Sequence, residues 1–509
     1  MTTHPADLRD AQMLHPMTLV QRFLISLPAF LILLWPVIRS GGPAEVMPVV
    51  TVVLYGVLAL PLIFLRYFRF RYQITEREIL IHSGVLNRQH RSIPIERIQN
   101  IEIEQSLLPR LFRTAKVKIE TAGSAQTEGV LEYVSLERAR AIREIVRSYQ
   151  QSAEGAPAGP APAVAAEPDR DVLLALPFGR VLLVGMLRFS LLYIAVAFSA
   201  LQQFNPDPDE IELWLTRGFL KPIAEFAVAS PWLLTAVVVG LAIVLSWLTG
   251  ILVSLNKHYN FTLWLEGDKL YKRSGLLTLS EGTIPLKRVQ AMLFRANALM
   301  RQFGWTALQL QTMGLESSQQ GPQLAAPLAP LDEARAIGER IYPFTWPEQF
   351  HRVSPLTIRR TVIRYTFGFL LLMVPLWFWL GNEAFWLLTL TPGIVGYAFL
   401  RYRNHGYALD GTTLFVRKGV FVHTVWIMPV AKFQVIYGSA SFFQRRLQLR
   451  SVYVDTAGAG GFASSEIVDL PAHEADQLIE ALNARFRTHF VPQPYALDQD
   501  APNDPSTLS

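Results

Sequence analysis

Ile93–Gly123 reads IPIERIQNIEIEQSLLPRLFRTAKVKIETAG. Val117 and Ile119 alternate with Lys116, Lys118 and Glu120, the period-two pattern of a half-buried strand. Yet this polar passage comes after Val46–Leu65, which carries no charge and is long enough to span hydrocarbon, for which about 20 apolar residues suffice.

The passage occurs three times. Its markers are Gly84, Pro94, Gln99, Arg110, Thr121 and Gly123 in the first copy. In the second they are Gly275, Pro285, Gln290, Arg301, Thr312 and Gly314, and in the third Gly419, Pro429, Gln434, Arg445, Thr456 and Gly458. The successive spacings are 10, 5, 11, 11 and 2 in every copy. Each copy opens with a strand-turn-strand phrase such as YQITEREILIHSGVL and closes with a helical one such as SLERARAIREIVRSY. In the first of these, Ser135 can cap the helix. Short strands closed by one amphipathic helix predict an α+β module, a small barrel or sandwich plugged by that helix.

Apolar residues make up 51% of the 509 and charged residues 17%, below the roughly 25% of a soluble domain. Cysteine is absent, which excludes disulfides and thiolate chemistry. The net charge of +6 is too small for a dedicated nucleic-acid binder and suits a surface beside anionic lipid. Val46–Leu65 and Ala229–Leu255 read as uncharged membrane spans. Leu19–Ile38, Val181–Leu201 and Val362–Gly381 each contain an arginine, and Ala384–Leu400 is short but uncharged. Six helices in three hairpins are predicted. Arg66, Arg69, Arg71, Lys257, Arg359, Arg360, Arg401 and Arg403 flank one side, which the positive-inside rule makes cytoplasmic, termini included. A cleaved signal peptide is the rival reading of the first segment, which has no small-residue cleavage site and is followed by a second span.

The predicted fold is therefore membrane α-helical hairpins plus α+β domains, one hairpin preceding each module. The N-terminus is 1–18, hairpin one 19–66 and module one 67–150. An Ala/Pro linker (151–177) leads to hairpin two (178–255) and module two (256–343). A connector (344–360), hairpin three (361–400), module three (401–488) and a polar tail (489–509), predicted to be disordered, complete the chain.

Gly84-Val85-Leu86, Ile93-Pro94, Ile98-Gln99, Ile101 and Arg110-Leu111-Phe112 resemble the bacterial pleckstrin-homology-like domain of the YdbS/YdbT-like multi-pass membrane protein family. The second and third copies match more loosely, the third departing at Met428, Phe433 and Leu447. The resemblance spans essentially the whole chain. It implies a bent antiparallel barrel of about seven strands capped by a helix, and no enzymatic activity or agreed ligand.

Arg110, Arg301 and Arg445 are candidate contacts for a lipid phosphate or a partner carboxylate; the bland reading is an internal salt bridge. Gln99, Gln290 and Gln434 sit just before a strand and read as structural, and each Thr-x-Gly marks a turn. Arg22, Arg188 and Arg364, each following a proline (Pro16, Pro177, Pro355), read as membrane anchors or as members of a polar intramembrane pathway. No H-E-x-x-H, G-x-S-x-G or Walker loop occurs, and His82 and His90 lack carboxylates at metal-ligand spacing. Neither catalytic residues nor a metal or cofactor is expected. The expected partners are the bilayer, anionic lipid headgroups, and other membrane or cytoplasmic proteins, further copies of the chain included, with no nucleic acid. A transporter or export role is the alternative, set against spans that lack Asp, Glu and His in their cores.

Overall fold

The computed structural model describes residues 12–39, 46–75, 77–85, 87–121, 129–153, 171–187, 231–313, 322–457 and 465–489. Arg188, Gly123, Gly314, Gly458, most of the Ala/Pro linker and the polar tail lie outside them.

The first repeat runs α1 (Met17–Arg39), α2 (Val46–Arg69), β1 (Arg71–Ile74), β2 (Glu78–Ser83), β3 (Gln89–Pro94), β4 (Ile98–Gln105), α3 (Leu107–Leu111), β5 (Thr114–Thr121), β6 (Gly129–Ser135) and α4 (Leu136–Ala153). The second runs β7 (Asp171–Ala175), α5 (Phe178–Leu187), α6 (Pro231–His258), β8 (Thr262–Glu266), β9 (Lys269–Ser274), β10 (Leu279–Pro285), β11 (Val289–Asn297), α7 (Ala298–Gln302), β12 (Trp305–Thr312), β13 (Gln323–Pro330) and α8 (Leu331–Ile341). The third runs β14 (His351–Arg352), α9 (Leu356–Leu380), α10 (Thr391–Asn404), β15 (Gly406–Asp410), β16 (Thr413–Lys418), β17 (Val422–Pro429), β18 (Phe433–Ser439), α11 (Phe442–Arg446), β19 (Leu449–Thr456), β20 (Ser465–Pro471) and α12 (Ala472–His489).

Among the described residues, Val52–Arg69, Gly240–His258, Leu356–Phe378 and Gly381–Asn404 are long and apolar enough to cross a bilayer. Met17–Leu27 and Phe178–Leu187 are shorter apolar stretches. The predicted helix over 384–400 instead begins as a 3-10 segment, Gly381–Leu390, before α10. Pro392 lacks the N–H that an α-helical bond to Leu388 would need, which favours the tighter winding ahead of it. The chain before each helix pair joins a strand after it, antiparallel in every repeat: Gln12 makes an isolated bridge to Tyr72, β7 pairs β8, and β14 pairs β15.

Several repeat markers now have local causes. Gly84, Gly275 and Gly419 close the turns after β2, β9 and β16 with φ of +96°, +121° and +108°. An added Cβ would meet a backbone carbonyl oxygen at 1.8–1.9 Å in each, so only glycine fits. Pro94, Pro285 and Pro429 end a strand and start a one-turn 3-10 helix, with φ of −58°, −64° and −63° suited to the pyrrolidine ring. Gln99, Gln290 and Gln434 are the second residues of β4, β11 and β18, inside the strand rather than before it, because the 3-10 turn ends two residues earlier. In β4 and β18 the glutamine falls at a register shift. Thr121, Thr312 and Thr456 end β5, β12 and β19, all buried.

The first core shows how a repeat is held together. Ile79, Ile81 and Ile93 from β2 and β3 meet Ile101, Val117, Ile119 and Leu131 from β4–β6, and Ile142 and Val146 of α4 close the end. Each such side chain removed from water contributes about 1.5–3 kcal/mol. This is the sandwich-like module expected of the sequence pattern.

The sheets are not confined to single repeats. Two compact units partition the chain: 1–289 with 299–308 and 314–341, and 290–298 with 309–313 and 342–509. In the first unit, β1-β2-β3 form one sheet, and β6-β5-β4-β10-β9-β8-β7 form another that joins the back half of repeat one to the front half of repeat two. In the second unit, β11 of repeat two pairs with β17 of repeat three, followed by β16, β15 and β14, while β18-β19-β20 form a separate sheet. Ala291 and Leu293 of β11 lie in the core of repeat three, beside Trp426, Met428 and Val452.

Candidate functional site

Each repeat ties the first of its long helices to its own sheet-and-helix body through an ion pair. Arg22, in the second turn of α1, donates from Nε and Nη2 to Glu132 Oε2 on β6 at 3.0 and 2.6 Å. Arg180 of α5 donates from Nη1 to both carboxylate oxygens of Glu333 at 2.8 and 3.1 Å, and lies 5.7 Å from the Trp305 ring centroid. Glu333 sits in the first turn of α8, where the helix dipole favours a negative charge. Arg360 of α9 pairs with Asp469 of β20, which is 2% exposed.

The helix entry is pinned by backbone as well. The His15 and Ser354 N–H groups, one residue before Pro16 and Pro355, donate to the carbonyls of Tyr133 (2.9 Å) and Asp469 (3.0 Å). Both acceptors have positive φ, +55° and +60°, and both stand two residues before the end of their strand.

Beside each ion pair lies one of the short helices. In repeat three the link is direct: Gln444 Nε2 of α11 donates to Asp469 Oδ1 at 2.7 Å. In repeat one, Arg113, just after α3, accepts through its carbonyl from Leu136 N at 2.8 Å, next to the end of β6. Gly304 and Leu331, and Gln448 and Ala472, repeat this bond at 3.1 and 2.8 Å. Arg113, Gly304 and Gln448 all have positive φ, which folds each short helix back toward the start of the long C-terminal one.

These short helices carry Arg110, Arg301 and Arg445 in their last turns. All three are exposed and have no ion-pair partner among the described residues. Large apolar side chains surround them in solvent: Phe112 is 51% exposed, Phe303 66% and Phe443 70%. Leu111, Leu299 and Phe442 are exposed too, and Arg446 lies 5.1 Å from the Phe442 ring centroid. In α11 the fold of this knob is secured by a full capping box between Ser441 and Gln444. Each short helix thus presents exposed apolar side chains next to an exposed arginine.

Of the arginines singled out from sequence, Arg22 is a member of the repeated ion pair. Arg364 is exposed in α9, with its guanidinium 5.1 Å from the Tyr365 ring centroid. The counterparts of Arg22 are Arg180 and Arg360, which lie nearer their prolines than Arg188 and Arg364 do. Arg22, Arg180 and Arg360 lie six, three and five residues after those prolines, so no fixed spacing marks them, and the acidic partners gave no local signal.

His82 and His90 face each other across β2 and β3, ring centroids 4.6 Å apart. Among the described residues no three His, Asp or Glu side chains gather as a metal site. His405, directly after α10, is buried, and Val468 N donates to its Nε2 at 3.4 Å. Burial, with Arg401 and Lys418 nearby, pushes its pKa down to about 3. On β5, Lys118 is buried between Glu102 and Glu104; burial opposes its charge, yet the two carboxylates outweigh that and raise its pKa.

Residues 22–150, 212–345 and 358–486 each match the bacterial PH domain family. The chain is 23% identical over 442 residues to the UPF0699 transmembrane protein YdbT of Bacillus subtilis (strain 168), covering 84% of this chain and 89% of that protein. No solved structure matches.

Proposed function

The chain belongs to the bacterial PH domain family, whose pattern recurs three times along it, and from that premise we propose that it is a non-enzymatic membrane scaffold. In this reading six helices cross the bacterial cytoplasmic membrane as three hairpins; the relative YdbT is likewise a transmembrane protein. The three PH-like modules and both termini lie on the cytoplasmic side. Each module rests on the bilayer through its short helix and holds its remaining surface toward partner proteins.

The observation that carries this reading is the thrice-repeated association of a clipped helix base with an exposed Arg-and-aromatic knob. Burying one such phenyl ring in the interface contributes about 1.5–3 kcal/mol, and each nearby cation about 1 kcal/mol beside anionic lipid. Because the knobs are tethered, they act together rather than singly. Basic residues at the helix ends, among them Arg66, Arg69, Arg401 and Arg403, support the same orientation.

A chain without cysteine makes the test direct. Single cysteines at Phe112, Phe303 and Phe443 take a nitroxide label, and the protein is reconstituted in phosphatidylcholine vesicles with and without phosphatidylglycerol. Labels at the three sites are expected to be accessible to oxygen and shielded from an aqueous nickel complex, more so with the anionic lipid. Labels as water-accessible as one at exposed Asp410 would refute surface docking.

A further inference from the structure

We propose that copies of this chain join head to tail, β18 of one copy pairing antiparallel with β3 of the next. Two junctions of this kind already exist inside the chain. At the first, Gln105, Glu104 and Ile103 of β4 face Leu279, Ser280 and Glu281 of β10. At the second, Ala296, Arg295 and Phe294 of β11 face His423, Thr424 and Val425 of β17. Aligning the repeats on Gly84, Gly275 and Gly419 makes these two sets of pairs the same set. The fourth strand of one repeat therefore meets the third strand of the next in one fixed register, twice.

Among the described residues, the matching third strand of repeat one and fourth strand of repeat three each stand at a sheet edge. β3 is an outer strand of its three-stranded sheet, and so is β18. Outer strands carry rows of unsatisfied backbone groups that accept another strand. Burial tells the same story. Gln89, His90, Arg91 and Ser92 of β3 are exposed, whereas β17 is buried from Thr424 to Pro429. On β18, Val435 and Tyr437 are 50% and 49% exposed. Their counterparts on β11 are Ala291 and Leu293, which are buried in the core of the following repeat. Val435 and Tyr437 are thus apolar side chains at positions that, where a next repeat exists, lie inside it.

The shared register specifies the new junction: Ser439 opposite Gln89, Gly438 opposite His90, Tyr437 opposite Arg91. The occupant is a second copy of this chain, because the partner strand it needs is the third strand of a PH-like repeat, and this chain carries one at a sheet edge. The contact is heterologous, so assembly gives a closed ring or an open row.

Two variants of the full-length protein, Gln89→Cys and Ser439→Cys, are co-expressed and their membranes oxidised. Paired residues have Cα atoms about 4.5–5.5 Å apart, within disulfide reach. The expected product is a disulfide-linked dimer of twice 57.4 kDa. Arg91→Cys with Ser439→Cys, displaced along the strand by about 7 Å, should give at least about tenfold less. Neither variant alone should dimerise. No dimer in register, equal yield out of register, or a bond formed only within one chain of the double variant would overturn the proposal. Light scattering of the unmodified protein in detergent should give a multiple of the monomer mass, reduced to one copy by Val435→Lys with Tyr437→Lys. These two side chains are half exposed, so the variant retains its fold, and an unchanged mass would also overturn the proposal.

Discussion

At the scale of single residues, the same clip is built with unequal strength. Asp469 is almost wholly enclosed and takes bonds from Arg360 and Gln444, whereas the Arg22–Glu132 pair is a quarter to a third exposed. Arg360→Ala leaves a buried carboxylate without its cation and is expected to cost about 3–5 kcal/mol. Arg22→Ala should cost about 1 kcal/mol or less. Urea melts of the full chain in detergent distinguish the two. His405 offers a pH test. Unfolded, it takes up a proton below about 6.5; folded, it resists until about 3. The unfolded chain binds more protons in that window, so stability falls as pH drops through it, by about 1.4 kcal/mol per unit. His405→Phe, the residue type at Phe70 and Phe261 in the other repeats, should flatten the loss; melting temperatures from pH 7 to pH 4 would reveal it. Such residues were only partly legible in the sequence. The prolines marked where the helices begin, but the acids lie 110, 153 and 109 positions from their arginines. No local pattern connects groups that far apart.

At the scale of elements, the glycine turns were the most legible feature, because one physical requirement admits one residue. Gly275→Ala sets a Cβ against the Thr278 carbonyl and forces an unfavourable backbone. A loss of about 2 kcal/mol or more is expected, read as faster amide exchange in β9 and β10. The strands were legible through alternation, as in Val117 and Ile119. The same alternation misplaced Lys118, which looked solvated and is buried. The cause is its two carboxylates, on a different strand. The short helices α3, α7 and α11 were harder still. Their five residues hold too few turns for a helical period to show, and only the exposed phenylalanines reveal that they form knobs rather than core.

At the scale of the molecule, the repeats share their sheets, and the second repeat contributes β11 to the unit that contains the third. A strand edge carries no sequence label for its partner, so alternation alone could not tell a closed module from a joined one. Leu293→Ala tests the joining energetically. Leu293 belongs by sequence to repeat two, yet its cavity would open in the core of repeat three. A loss of about 3–5 kcal/mol is expected, appearing as increased exchange in β16, β17 and β19. Confinement of the effect to repeat two would contradict the shared core.

In repeat two a strand precedes the helices, which bears on the order in which the protein is made. β7 leaves the ribosome first, and its partner β8 follows only after α5 and α6 have been synthesised. Until β8 has been synthesised, β7 lacks the strand it pairs with in the folded chain. β7 and β8, 171–175 and 262–266, are thus separated in time of synthesis by the whole of the apolar segment between them, and their sheet closes last.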